Sequence, residues 1–123
     1  MATISGLHLQ YRLWIADINA DITVLRILND YMVDKSAKNK DADTTHRINY
    51  FKEAFSKLRK EMDELRHEMH LNKMKLASLA KDSSQSINTI EDSINHKTLK
   101  ERYEAFRESF NNTKKEYQDF ENA

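Results

Sequence analysis

The chain has 123 residues, with 20 basic and 20 acidic side chains that cancel to no net charge. That length suits one domain spanning residues 1–123, and the balanced charge supplies no long-range field to draw nucleic acid or an anionic membrane. No cysteine means no disulfide, thiol catalyst or thiolate metal site, and one glycine with no proline leaves little material for sheets or irregular loops. Long helices with few connections follow. No uninterrupted apolar run reaches bilayer length, and no basic segment followed by an apolar run and a small-residue cleavage site opens the sequence, so a soluble cytoplasmic protein is expected.

The first predicted helix runs from about residue 5 to about 34. Ile4, Leu7, Tyr11, Trp14, Ile18, Leu25, Leu28 and Met32 form one apolar stripe at heptad-like spacing. Leu9, Leu13, Ala16, Ala20, Val24, Ile27 and Tyr31 form a second stripe on nearly the opposite side. His8, Arg12, Asn19, Thr23, Arg26 and Asp30 lie between them on one flank, and Gln10, Asp17 and Asp21 on the other. A helix apolar on two sides is either shielded by both neighbours or has a second partner. We favour the second reading, in which this face of two copies packs about a two-fold axis to make a homodimer. Asp21 also falls on the edge of the first stripe, where a buried polar group fixes partner choice at a cost in stability.

Residues 34–43, Asp-Lys-Ser-Ala-Lys-Asn-Lys-Asp-Ala-Asp, carry no apolar anchor and read as a mobile loop. Asp43, Thr44 or Thr45 would then cap a second helix over about 44–82. Its ladder is the clearest pattern in the chain: Ile48, Phe51, Phe55, Leu58, Met62, Leu65, Met69, Leu76 and Leu79 recur in steps of three and four, interrupted only by Asn72. Asn72 on such a seam is expected to set register. Lys52, Arg59, Arg66 and Lys73 flank the seam on one side and Glu61 and Glu68 on the other, a pattern of interhelical charge pairing. His67, Leu71 and Met74 make a weaker outward stripe.

Asp82-Ser83-Ser84-Gln85-Ser86 offers several caps for a third stretch over about 86–121. Ile87, Ile90 and Ile94 share one face, while Leu99, Tyr103, Phe106, Phe110, Tyr117 and Phe120 share another rotated by well over a right angle. Thr98 and Glu101 fit a capping box, so a break near residues 95–97 is expected, with 86–95 a short fourth helix folded over one end. At 1.5 Å per residue the three long pieces would each span roughly 45–60 Å. The fold class read from all of this is all-α, an antiparallel three-helix bundle of long coiled-coil-like helices with a short fourth helix near 86–95.

Chemistry is sparse. The only glycine is Gly6, so there is no phosphate-binding loop, and no nucleophile elbow is present. Glu64-Leu65-Arg66-His67 matches the Glu-x-x-His spacing of carboxylate-bridged di-iron bundles, His70 adds a second imidazole, and Asp17 and Asp21 lie one turn apart on helix one. The ladder argues against that ferritin- or hemerythrin-like alternative. With Met62, Leu65 and Met69 at the seam, Glu64, His67 and His70 fall at flanking or outer positions, and no second Glu-x-x-His exists. No metal, cofactor or catalytic residue is therefore assigned, and the expectation is a non-catalytic protein-interaction or scaffolding module.

Leu7-His8-Leu9-Gln10-Tyr11-Arg12-Leu13-Trp14, with the later Leu65-Arg66-His67, resembles uncharacterised small helical coiled-coil proteins of Bacteroidetes, which open on a similar Leu-His and Leu-Trp. Tyr11 stands where those proteins carry a second His. The resemblance implies a bacterial coiled-coil protein and no mechanism.

Overall fold

The computed structural model describes residues 3–81 and 86–123, and among them the chain forms four α-helices and no strand. Helix α1 spans Ile4–Lys38, α2 Ala42–Leu79, α3 Ile87–Ser93 and α4 His96–Glu121. None of them is long and apolar enough to cross a membrane.

Thr3 caps α1, its hydroxyl accepting from the Gly6 amide at 2.9 Å. A Cβ on residue 6 would sit 3.1 Å from that hydroxyl, a tight contact that a small shift of the Thr3 side chain relieves. The expected loop over 34–43 is mostly helix. Asp34 and Lys38 pair one turn apart at 2.9 Å, and the helix carries on to Lys38. The connection shrinks to residues 39–41. The cap of α2 is correspondingly Asp41 rather than Asp43, Thr44 or Thr45, and its carboxylate accepts from the Thr44 amide at 2.9 Å. That backbone hydrogen bond holds the Asp41 carboxyl below its ordinary range. Helix α2 also ends three residues short of the expected 82.

The ladder on α2 is buried as the periodicity predicts: Ile48, Phe51, Phe55, Leu58, Met62, Leu65, Met69 and Leu76 face the core, and Leu79 is half-buried. On α1 the first stripe faces inward, but it is broader than its heptad spacing suggested. Ile15 and Ile22 are buried beside Leu7, Tyr11, Ile18, Leu25 and Met32, while Ile4, Trp14 and Leu28 are only half-buried. The six apolar residues picked out on the last helix are all buried, with Ile90 and Ile94 of the α3 segment. At one end Phe51, Phe55, Tyr117 and Phe120 pack edge-on and tilted, with centroids 5.1–5.9 Å apart.

Side-chain pairs give the sense of each helix contact. Tyr11 meets Asn72 and Asn19 meets Arg66, so residue numbers on α1 and α2 run in opposite directions. Tyr50 with Glu116 and Glu68 with Arg102 do the same for α2 and α4. Asp17 with Tyr103 and Asp21 with Arg107 run in the same direction on α1 and α4.

The break in the third stretch lies where the phase shift predicts, but not by the expected cap. Ser86 caps α3, and α4 begins at His96 after Asn95 in the left-handed conformation, φ 52° and ψ 42°. Thr98 and Glu101 lie inside α4, so their capping box is not used. Asp82 to Gln85, the other proposed caps, lie outside the described residues.

Candidate functional site

Two features stand out: a polar chain where α3 turns into α4, and the outward face of α1.

The polar chain starts at Asn72. Its side-chain amide donates to the Ile94 carbonyl at 2.9 Å and to the Tyr11 hydroxyl at 3.3 Å. Tyr11 Oη lies 2.7 Å from His96 Nδ1. The Tyr11 hydroxyl thus accepts from Asn72 and shares a second hydrogen bond with His96, whose direction follows the imidazole tautomer. Burial raises the Tyr11 pKa, against the Asn72 hydrogen bond, with Glu91 adding to the rise. Burial also depresses His96, with Lys100 acting in the same sense and Glu91 opposing. The His96 ring stacks on Trp14 at 5.9 Å and 3°, and Trp14 stacks on Tyr103 at 4.8 Å. Tyr103 donates to Asp17 at 3.3 Å, and burial followed by the Asp17 charge pushes the phenol up to about 12. The register role expected of Asn72 thus has a physical form: it ties α2 to the backbone of the α3–α4 break and to α1. Among the described residues no buried side-chain nitrogen or oxygen lacks a partner.

Asp21 is buried as expected and pairs with Arg107 of α4. Burial is the larger influence on its carboxyl and raises it above the ordinary range despite Arg107. Charge pairing along α2 departs from expectation. Glu61 and Glu68 do reach across to another helix, both meeting Arg102. Arg59 and Arg66 turn instead to Asp63 on their own helix, and Arg66 also donates to Asn19 at 2.9 Å.

The metal-candidate residues do not converge. Glu64, His67 and His70 are exposed on α2, Asp17 is exposed on α1 holding Tyr103, and Asp21 is committed to Arg107. Among the described residues no three His, Asp or Glu side chains come together in a ligating cluster. The surroundings of His70 are moreover cationic: after burial, Lys73, Arg66 and His67 depress its pKa. A divalent ion there would meet like charge.

The second stripe of α1 faces away from the core. Leu9 and Leu13 are each 56% exposed, Ile27 51% and Tyr31 58%. Ala16 and Ala20 are exposed between them, whereas Val24 is half-buried and packs partly on the core. Leu71 and Met74 of α2 are also exposed. Grooves between helices are shallow; the one beside Asn72, lined by Glu68, Lys75, Asn95 and Arg102 among others, encloses about 230 Å³.

No protein family, curated protein or solved structure matches the chain.

Proposed function

We propose that the chain is an antiparallel, up-down-up three-helix bundle with α3 folded over one end, and that it works without catalysis as a self-associating interaction or scaffolding module. The opposed and parallel residue pairings described above support the bundle. The observation that carries the function is the outward face of α1. A row of aliphatic and aromatic side chains more than half exposed, on the side of the helix away from its core, needs an occupant.

A second copy fits the quantities. The row offers roughly 400–500 Å² of apolar surface per copy, so removing it from water on both copies contributes about 20–25 kcal/mol. Association and side-chain ordering cost about 4–15 kcal/mol or more, and about 900 Å² buried in total falls below the standard size, in the range of weak, transient interfaces. The expected outcome is a dimer with micromolar affinity. The absence of net charge leaves no overall repulsion between copies. The opening that resembles Bacteroidetes proteins adds a bacterial origin to this reading.

Sedimentation velocity between about 1 and 100 µM tests it. The wild-type chain is expected to move from monomer to dimer across that range, and Leu13→Glu or Ile27→Glu to stay monomeric with unchanged helicity. Both positions are solvent-exposed within the chain, so the charge costs little in the monomer. A wild-type chain that remains monomeric at tens of micromolar overturns the proposal.

A further inference from the structure

The outward stripe of α1 reads the same from either end. Its members step by 4, 3, 4, 4, 3 and 4 residues from Leu9 to Tyr31, so the spacing is a palindrome centred on Ala20. Residue size grows outward from Ala20 on both sides, with Val24 and Tyr31 larger than the Ala16 and Leu9 they mirror. Ala16 and Val24 stand four residues either side of Ala20, Leu13 and Ile27 seven, and Leu9 and Tyr31 eleven. At 100° per residue all seven fall within an arc of about 80°.

A palindromic face is what a two-fold axis across a helix demands. Two copies related by such an axis present the same patch to each other in reversed order. Building on the self-association proposed above, we infer that two α1 helices pack antiparallel about an axis through Ala20. Ala20 then meets the partner's Ala20, Leu13 the partner's Ile27, and Leu9 the partner's Tyr31. The small residues lie at the crossing point, where the backbones come closest. The large ones lie toward the ends, where crossed helices diverge and long side chains are needed to fill the gap.

Charge on the flank agrees. In an antiparallel pair, side chains on one edge of a helix face the same edge of its partner. Arg12 and Asp30 share one edge of α1, 18 residues apart and nearly symmetric about the same centre. Arg12 would therefore face the partner's Asp30, and the axis repeats the pair. Both are exposed, and among the described residues neither has an ion-pair partner within its own chain. A parallel arrangement would set each edge of α1 against the opposite edge of its partner, so Arg12 and Asp30 would no longer face each other's copies, and would waste the palindrome.

The chain has no cysteine, which makes crosslinking an unambiguous test. Ala20→Cys is expected to form a disulfide-linked dimer under mild oxidation, since facing positions at a close helix crossing fall within the 4.4–6.8 Å Cα separation that a disulfide spans. Leu13→Cys alone is expected to stay unlinked, because 14 residues of rise separate it from its own copy by about 21 Å. An equimolar mixture of Leu13→Cys and Ile27→Cys is expected to link into the mixed dimer. Arg12→Asp and Asp30→Arg should each weaken the dimer about ten-fold, and the double variant should restore it.

Self-linking of Leu13→Cys as fast as Ala20→Cys overturns the antiparallel axis. So does a wild-type chain that sediments as a dimer while none of these variants links. In both cases self-association itself survives. A wild-type monomer at tens of micromolar removes the axis and the proposed function together.

Discussion

The single residue that carries most consequence is His96. Its Nδ1 hydrogen-bonds the Tyr11 hydroxyl, which accepts from Asn72. Burial penalises the charged imidazole, and Lys100 acts in the same sense while Glu91 opposes it. Its pKa in the fold is accordingly below the ordinary value. As pH falls, the unfolded chain takes up this proton first, so stability is fully present above the ordinary imidazole range near pH 6.5 and is lost as pH drops through it. We expect the melting temperature to decline from pH 8 to pH 5, and His96→Gln to flatten that decline while lowering stability by about 1 kcal/mol at pH 8. His70, also depressed, supplies a background slope that the variant keeps. An identical pH profile for wild type and variant would show that the His96 ring is not buried in solution. Nothing in the sequence marked this arrangement. Tyr11 read as one more core residue and His96 as part of a break, and the 85 residues between them carry no local signal of their pairing.

Among the elements, α2 was the most legible and the α3–α4 corner the least. The α2 ladder repeats nine times without a competing period, so burial follows directly from spacing. On α1, two stripes compete for description; Ile15 and Ile22 were missed because a strict step of three and four passes beside them, although the inward arc is wide enough to include both. The outward stripe was assigned from the same wheel, and exposure of six of its seven members agrees. At the corner, the phase change between Ile94 and Leu99 located a break, while the capping-box pattern placed its start too late. The chain turns on Asn95 instead, at φ 52°. Left-handed geometry costs an ordinary side chain about 1–2 kcal/mol, and asparagine tolerates it better than most. Asn95→Ala should therefore lower stability by about 1 kcal/mol and Asn95→Gly should not, read as urea midpoints. Equal midpoints for the two would mean the left-handed turn is absent.

At the scale of the whole molecule, a chain whose folding is linked to association becomes more stable as it is concentrated. For a dimer of this length, each ten-fold rise in concentration should raise the melting temperature by about 3 °C, and Leu13→Glu should abolish the dependence. A flat wild-type response would place the apolar face of α1 outside the folding equilibrium. The three-residue connection between α1 and α2 bears on a different matter, the order of assembly. Contacts beside that connection close over a handful of residues, whereas those joining α1 to α4 bridge 85 or 86. Loop closure grows as the logarithm of length, so going from about 10 residues to about 86 costs roughly 2 kcal/mol more. The α1–α2 hairpin can zip up from its turn at little entropic cost, and α4 docks onto a surface already made. The Tyr11–Asn72 contact belongs to that hairpin, whereas the Tyr11–His96 contact can close only when α4 docks.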